Sequence, residues 1–290
     1  MTPALPALDP ETVAAALEAA VGALGGGATL GRVVVVASTA STSSDLVDGL
    51  RAGQDWPDRS VLVADHQTAG RGRAGRTWTT PAGVAVTASL LSRPGVPVER
   101  LGWVPLIGGL AVVEAIAQVS GLAPVLKWPN DVLVPAPDEP EVDGWGPFRK
   151  VAGVLGDLIP APDPVVVLGI GINVSQDADE LPVDSASSLA LAGASRVDRT
   201  ELLAALVARW VELDTLWREA DGDAWAAGIG ERCAAACVTL GRAVRVELPG
   251  GDVLDGMARG LEIDGSLRVE GGGRVQSVHA GDVRHVRVSS

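Results

Sequence analysis

Apolar and polar positions follow two different patterns along this chain, and the change falls near residue 238. Before it, short valine-rich runs are separated by alanine- and leucine-rich stretches whose apolar residues recur every three or four positions. After it, apolar and polar residues alternate one by one, which is typical of strands with one buried face. The pattern predicts a larger domain of helices and strands followed by a smaller all-β domain.

Helices are predicted where the apolar spacing is helical, and strands where short valine-rich runs end in turn residues. The predicted helices cover residues 10–23, 43–52, 101–119 and 198–217, with short helices continuing to about residue 237. The predicted strands of the larger domain cover residues 32–37, 60–65, 84–91, 151–159 and 165–174. The spacing of Asp198 and Glu201 resembles a capping box, which marks the start of the last long helix.

The C-terminal pattern predicts a small antiparallel barrel. Val244, Val246 and Leu248 alternate with charged residues, and residues 283–288 alternate again. Asp264-Gly265 separates two apolar runs, 261–263 and 267–269, and is a strong signal for a hairpin turn. The predicted organisation is an N-terminal helix and linker at 1–31, a larger domain at 32–237 and the barrel at 238–290.

Composition and charge exclude several classes of protein. A hydrophobic content of 47% indicates a globular chain, and a net charge of −13 argues against non-specific nucleic-acid binding, which needs basic surfaces. The sequence shows neither a signal peptide nor an uninterrupted apolar run of membrane-spanning length, so we expect a cytoplasmic protein. Cys233 and Cys237 have no histidine or further cysteine nearby, so we interpret them as small core residues.

One segment concentrates positive charge in this acidic chain. Residues 70–78 read Gly-Arg-Gly-Arg-Ala-Gly-Arg-Thr-Trp. Glycines let backbone N–H groups approach a ligand, and arginines donate forked hydrogen bonds to carboxylate and phosphate oxygens. The segment also matches the G-x-G-x-x-G dinucleotide pattern, but residues 77–81 cannot open a helix cleanly and no acidic residue follows before Glu99. We therefore predict an anion-binding loop and reject a dinucleotide fold.

A proline-rich, acidic segment separates two candidate functional stretches. Residues 135–148 contain four prolines, four carboxylates and two glycines. Such a composition favours disorder or a mobile flap over a folded element.

Four clusters of polar and charged residues accompany these patterns. They are Ser41-Thr42-Ser43, the stretch from Gln67 to Trp78, Lys127-Trp-Pro-Asn-Asp131, and Lys150-Val-Ala-Gly153 followed by Gly169-Ile-Gly-Ile-Asn173. Each cluster taken alone is also compatible with an ordinary turn or strand end.

Together and in this order, the four clusters closely resemble the motifs of biotin protein ligases, over about residues 32–288. The resemblance implies an α+β fold, with a biotin/lipoate ligase-like catalytic domain built on a mixed sheet and an SH3-like C-terminal barrel. It implies that biotin and ATP are substrates and that Mg²⁺ is required. Biotin is activated to biotinyl-5′-AMP and then transferred to a lysine of the biotin carboxyl-carrier domain of a carboxylase.

The resemblance also implies roles for individual residues. Those implied for biotin binding are Ser41, Thr42, Ser43, Gln67, Gly70, Arg71, Gly72, Arg73, Lys150 and Gly153. Those implied for ATP binding are Arg73, Arg76, Trp78, Asn130, Lys150 and Asn173. The implied catalytic residues are Arg71, Lys127, Lys150 and Asp131, and the implied Mg²⁺ ligands are Asn130 and Asp131. Ser43 departs from the asparagine common in the family, and the 135–148 segment, just before Lys150, is expected to cap the nucleotide or to contact the acceptor.

Other functions remain open at the level of sequence. A lipoate ligase shares the fold and is hard to exclude on physical grounds, and a non-catalytic biotin-binding or regulatory protein is a further alternative. The residues before Arg32 are too few for a DNA-binding domain, so we expect no DNA partner and no membrane partner. An octanoyl transferase needs a nucleophilic cysteine in its catalytic core, whereas both cysteines here lie near the domain boundary.

Overall fold

A seven-stranded sheet is the scaffold of the larger domain in the computed structural model, which describes residues 5–286. The strands of both domains, numbered along the chain, are β1 (Val33–Thr39), β2 (Val61–Gln67), β3 (Gly70–Arg71), β4 (Thr77–Trp78), β5 (Ala85–Ser92), β6 (Val125–Lys127), β7 (Asp131–Pro135), β8 (Phe148–Ile159), β9 (Val165–Asn173), β10 (Ala243–Glu247), β11 (Val253–Leu261), β12 (Leu267–Gly271), β13 (Arg274–Val278) and β14 (Asp282–His285). The helices are α1 (Pro10–Gly22), α2 (Thr42–Arg51), α3 (Val104–Ser120), α4 (Arg199–Glu219) and α5 (Ile229–Ala236).

The strand order of the large sheet is β1-β2-β5-β9-β8-β7-β6. β1 pairs with β2 in parallel, and the other neighbouring pairs of this sheet are antiparallel. The predicted mixed sheet is therefore confirmed, and every predicted helix and strand of the larger domain has a counterpart close to its predicted bounds.

Helices α1, α3 and α4 pack together over one face of this sheet. α3 lies directly on the strands: a Cβ added to Gly108 would be only 2.6 Å from Leu168 Cδ2, so glycine permits the close approach. With the turn before it, α3 is long and apolar enough to cross a membrane, but 67% of its most apolar stretch is buried inside the protein. Its hydrophobicity is that of a core helix.

The opposite face of the sheet is covered only in part. Leu46 and Val47 of α2 pack there against Leu62, Leu91 and Val167. The rest of this face is open, because helix α2 is short and small residues replace large apolar ones along the neighbouring strands. The open part of the sheet becomes the wall of a cavity, described below.

The C-terminal part forms a five-stranded antiparallel sheet in the order β13-β12-β11-β10-β14. The Asp264-Gly265 hairpin is confirmed, with Gly265 at φ 84° in the turn. The sheet is consistent with an SH3-like domain, but within residues 5–286 no pairing joins β13 to β14, so a closed barrel is not formed. Residues 287 and 288 of the predicted last strand lie outside the described residues, and the domain boundaries at 31/32 and 237/238 stay predictions.

Tryptophan side chains tie the two sheets together. Trp103 Nε1 donates to the carbonyl of Ile263 at 2.9 Å, and Trp128 Nε1 donates to the carbonyl of Gly265 at 3.1 Å. Both indole rings are fully buried, so these hydrogen bonds satisfy donors that would otherwise be costly. They hold the hairpin of the C-terminal sheet against the larger domain.

The expectation of disorder at 135–148 is wrong, whereas the alternative, a mobile flap, stays a prediction. β7 and β8 pair up to its two ends, and a short turn closes at Val142–Gly146. Gly144 forms an isolated bridge with His285 of β14, so the segment is tied to the C-terminal sheet. The sequence pattern also gave no sign of the short strands β6 and β7, since a proline interrupts the stretch between them.

His285 is buried at this junction. Its Nε2 lies 3.3 Å from Thr239 Oγ1, and its backbone N–H donates to the carbonyl of Gly144 at 3.1 Å. Burial, followed by the positive charges of Lys127 and Arg242, lowers the pKa of His285 from 6.5 to about 4.

Folding stability should therefore depend on pH through His285. Its pKa is lower in the folded state than in the unfolded chain, so its contribution is complete above pH 6.5 and is lost as the pH falls from 6.5 towards 4, by about 3 kcal/mol in total. Urea unfolding across this range measures the slope, which we expect to be shallower in His285→Asn. An equal slope in both proteins would contradict this environment for His285.

Candidate active site

A cavity of about 840 Å³ lies between the open face of the large sheet and the C-terminal sheet. Its size is in the range of small-molecule binding sites. It is lined by the start of α2, the loop 70–78, the 127–131 stretch at the ends of β6 and β7, the strands β8 and β9, the 142–146 turn, residues 182–186 and β14, with single residues from β2, β5 and β10. Every residue given a role by the motif resemblance, apart from Gly70, contributes to this lining.

Glycines make one wall of the cavity flat. Gly153 of β8 lies directly opposite Gly171 of β9, and Gly169 follows on the same face. The indole of Trp78 lies against this wall. Only glycine permits this contact at position 171, because an added Cβ would be 2.5 Å from Trp78 Cε2. The Nε1 of Trp78 is buried without a hydrogen-bond partner. The glycines thus let the indole pack directly on the sheet, where the ring becomes a flat, apolar part of the cavity lining.

The inner end of the cavity is neutral and polar. Ser41 caps helix α2, and Thr42 and Ser43 follow in its first turn. Gln67 Oε1 accepts from the Thr42 backbone N–H at 2.8 Å and from Thr42 Oγ1 at 3.0 Å. Since both bonds fix the amide oxygen, the Gln67 Nε2 group is the part left to donate to a ligand.

The arginine-rich loop folds as a small hairpin. Gly70 of β3 pairs with Trp78 of β4, and the Gly72 N–H donates to the carbonyl of Arg76 at 2.7 Å. A single tight turn between them places Ala74 at φ 52° and Gly75 at φ 74°, both in the left-handed region. Gly70 does not line the cavity but sits under the hairpin, where a Cβ would meet the Trp78 carbonyl oxygen at 2.5 Å. No α-helix opens here, in agreement with the rejected dinucleotide fold.

The three arginines of the loop diverge, and two of them meet carboxylates. Arg71 forms a bidentate pair with Asp157, both N–H···O distances being 3.0 Å. Arg76 pairs with Asp282 of the C-terminal sheet. Arg73 donates from Nη1 to Asn130 Oδ1 at 3.3 Å, and burial lowers its pKa. The loop is therefore held by anionic or polar groups in three directions.

Two lysines flank one partly buried carboxylate at the centre. Lys150 Nζ lies 2.5 Å from Asp131 Oδ1. Lys127, only 5% exposed, donates from Nζ to the Val283 carbonyl at 2.5 Å and lies 4.4 Å from the centre of the Trp145 ring. Burial lowers the pKa of Lys127. Burial raises the pKa of Asp131, but Lys150 and Lys127 more than offset this, so its pKa is lower than usual and it stays ionised.

The two asparagines are engaged with the protein itself. Asn130 accepts from Arg73 and donates from Nδ2 to the Val154 carbonyl at 2.8 Å. Asn173 donates to the Ser187 carbonyl and accepts from Gln176 Nε2, both at 2.9 Å. These bonds hold the ends of β6 and β9 and leave each amide only part of its bonding capacity for a ligand.

Asn130 and Asp131, the implied Mg²⁺ ligands, both line the cavity, and their role toward the metal stays a prediction. Within residues 5–286 no group of three or more His, Cys, Asp or Glu side chains is placed to hold a metal ion. Asp131 is already neutralised by Lys150, and the Asn130 oxygen faces Arg73. A donor set surrounded by cations fits a metal only if the metal arrives with its own anionic ligands.

Several residues at the site were not found from the sequence. Asp157 and Asp282 neutralise loop arginines, Trp145 covers Lys127, and Ser89 contacts Thr42 and Ser43. Each meets its partner across a large sequence separation, so no local pattern identifies it. The strand alternation does place Asp157 on the face of Gly153, which is the one signal that was available.

Comparison with known proteins gives matches along nearly the whole chain. Residues 35–174 match the model of the Biotin/lipoate A/B protein ligase family, and residues 239–286 match that of the Biotin protein ligase C terminal domain. The Biotin--[acetyl-CoA-carboxylase] ligase of Mycobacterium tuberculosis is 38% identical over 268 residues, covering 91% of this chain and 92% of that protein. The Bifunctional ligase/repressor BirA of Bacillus subtilis is 34% identical, and the match covers 58% of this chain but only 48% of that protein.

Solved structures give the same result. A biotin protein ligase from Aquifex aeolicus in complex with biotin and ATP superimposes with a TM-score of 0.71 at 26% identity. The superposition covers 88% of this chain and 99% of that one.

The Lys127–Asp131–Lys150 arrangement predicts unequal effects for two carboxylate substitutions. Asp131→Asn should lower the free energy of unfolding at pH 7 by about 2–3 kcal/mol, because it leaves buried ammonium charge without a partner. Asp157→Asn, which breaks a more exposed pair, should cost less than about 1 kcal/mol.

The effect of Asp131→Asn should also depend on pH. The pKa of Asp131 is lowered in the folded state, so its stabilisation is present above the unfolded pKa and disappears as the pH falls through the folded value. Denaturant unfolding of the three proteins at neutral and acidic pH measures both effects. Equal losses for the two variants at pH 7 would contradict a central carboxylate that is more strongly coupled to its cations than Asp157 is.

Proposed function

This chain belongs to the biotin protein ligases of the biotin/lipoate protein ligase family, and from that premise we propose how its cavity binds and joins the substrates. Its activity is the ATP-dependent ligation of biotin to protein. The observation that carries the proposal is one continuous cavity with a neutral polar end, a flat wall of glycines and Trp78, and a group of cations.

The polar end suits the ureido ring of biotin. A cyclic urea carries N–H donors and a carbonyl acceptor, and the hydroxyls of Ser41, Thr42 and Ser43 with the amide of Gln67 offer complementary groups. From there the biotin side chain would run along the Gly153–Gly169 wall, bringing its carboxylate to the cations. Arg71 and Arg73 of the loop and Lys150 are the side chains assigned to that carboxylate.

The first step joins two anions. A carboxylate oxygen of biotin attacks the α-phosphorus of ATP, the bond to the β-phosphate oxygen breaks, and pyrophosphate leaves with that electron pair. Fixed positive charge offsets the repulsion between the reactants and the charge that develops on phosphorus. Lys127 and Lys150, with Arg73 and Arg76, supply this charge from positions already desolvated or neutralised by the protein.

The remaining part of the cavity is assigned to the nucleotide. The Trp78 ring is assigned to pack beside adenine, and the part of Asn173 not bound by the protein is assigned to the edge of the base. Mg²⁺, when bound together with ATP, would neutralise charge on the leaving pyrophosphate. Asn130 and Asp131 line the cavity and are assigned to hold this ion.

The second step forms an amide. The amine of an acceptor lysine attacks the acyl carbon of biotinyl-5′-AMP, the bond from that carbon to the phosphate oxygen breaks, AMP leaves with the electron pair, and the nitrogen releases a proton to solvent. Asp131 is assigned to orient this amine, since it is the carboxylate at the centre of the cation group. Trp145 and Asp143 bring the 142–146 turn to the cavity, so this turn would cap the nucleotide or contact the acceptor.

The acceptor in this proposal is the biotin carboxyl-carrier domain of a carboxylase, consistent with the name of the Mycobacterium tuberculosis relative. A cytoplasmic location, where ATP and the carboxylase are available, belongs to the same proposal. A cysteine-dependent octanoyl transfer has no support, because Cys233 and Cys237 lie outside the cavity lining and burial raises the pKa of both thiols.

Transfer to a carrier domain tests the function. With biotin, ATP and Mg²⁺, the chain should add one biotinyl group to an isolated biotin carboxyl-carrier domain, observed by mass spectrometry. The same domain with its acceptor lysine replaced by arginine is the control and should stay unmodified. Transfer of lipoate in place of biotin, or no modification at all, would refute the proposal.

Lys150 tests the assigned chemistry. Lys150→Ala should reduce the rate of biotinyl-5′-AMP formation by about 10²-fold or more, since it removes charge that acts at the reacting carboxylate. The dissociation constant for biotin should rise far less, about tenfold or below, because the ureido contacts remain. Single-turnover adenylation and calorimetric titration separate the two quantities. Near-normal turnover in the variant would show that Lys150 has another role.

A further inference from the structure

Ser89 lies beneath the polar end of the cavity and is completely buried. It belongs to β5, and its hydroxyl does not line the cavity. Ser89 Oγ lies 2.7 Å from Thr42 Oγ1 and 2.9 Å from Ser43 Oγ. A buried hydroxyl placed between two others connects the groups that face the ligand.

The direction of every hydrogen bond in this group follows from one backbone donor. The Thr42 N–H donates to Gln67 Oε1, which identifies that atom as the amide oxygen. Thr42 Oγ1, at 3.0 Å from the same oxygen, must therefore donate its proton to it.

The remaining protons are then fixed in turn. A hydroxyl has one proton, so Thr42 Oγ1 accepts from Ser89, and Ser89, having donated, accepts from Ser43. The chain runs from Ser43 to Ser89 to Thr42 to Gln67, with each member donating to the next. A chain of this kind is strengthened by mutual polarisation in a buried setting.

This order decides what the cavity offers to a ligand. The Ser43 proton is used inside the protein, so its oxygen faces the cavity as an acceptor. The Gln67 oxygen is used twice, so its Nε2 group faces the cavity as a donor. An acceptor beside a donor matches the N–H and C=O of a cyclic urea and does not match a ring that lacks N–H groups.

We propose that Ser89 is a positioning residue that makes Ser43 an acceptor for a ring N–H of biotin and so contributes to the selection of a ureido ring. The inference rests on the proposed function, since it assigns the ureido ring to this end of the cavity. Ser89 acts without touching the substrate, through the orientation of the Ser43 hydroxyl.

Calorimetric biotin binding by single and double variants tests this role. Ser89→Ala should raise the dissociation constant for biotin about tenfold, because Ser43 loses the acceptor that orients its proton. Ser43→Ala should cause a loss of similar size. The double variant should lose little more than either single one, whereas independent contributions would multiply to about a hundredfold.

Two further measurements separate positioning from a general structural effect. The KM for ATP should stay within about twofold of wild type in Ser89→Ala, since the nucleotide side of the cavity does not contact this chain of hydrogen bonds. Thr87→Val is a matched control on the same strand. Thr87 is buried, and its hydroxyl donates to the Ala64 carbonyl and is not part of the Ser43–Ser89–Thr42–Gln67 chain of hydrogen bonds. Its biotin affinity should stay within about twofold of wild type.

The outcomes are distinguishable. Wild-type protein that fails to bind biotin would overturn the proposed function and this inference together. Wild-type binding with an unchanged constant in Ser89→Ala, or a hundredfold loss in the double variant, would overturn the inference alone. A loss of biotin affinity in Thr87→Val equal to that in Ser89→Ala would also overturn it, by showing that any buried hydroxyl of β5 has the same effect.

Discussion

Mutual repulsion among the cations of one cavity constrains the whole structure, because the surrounding groups must offset it. Lys127, Lys150 and Arg73 are brought close together by three separate segments, and each loses hydration on folding. The protein offsets this with a single central carboxylate, Asp131, and with carbonyl and carboxylate oxygens at the edges. The electrostatic field that results in the cavity suits anions. A ligase of this family must join two anionic substrates.

The same constraint explains why the two sheets depend on each other. The C-terminal sheet contributes the Val283 carbonyl to Lys127 and the Asp282 carboxylate to Arg76. It is itself anchored by the buried Trp103 and Trp128 side chains. The small domain is therefore part of the cavity wall, and the sequence alone gave no indication of this role.

Local patterns were sufficient for much of the fold but not for the electrostatic balance of the site. Helical spacing placed α3 and α4, and alternation with Asp264-Gly265 placed the C-terminal hairpin, because these signals act between near neighbours. The partners of the loop arginines lie far along the chain and depend on sheet register, so they were missed. Disorder was wrongly expected for the segment 135–148, because composition does not reveal its contact with β14.

Pyrophosphate exchange tests the central claim most directly, since it isolates the step in which the cavity brings two anions together. The chain, with Mg²⁺ and ATP, is supplied with biotin, with lipoate or with no acid, and incorporation of labelled pyrophosphate into ATP is measured. Exchange that depends on biotin, with little in the other two mixtures, is the predicted result. Exchange with lipoate in place of biotin, or none with either acid, would contradict the account.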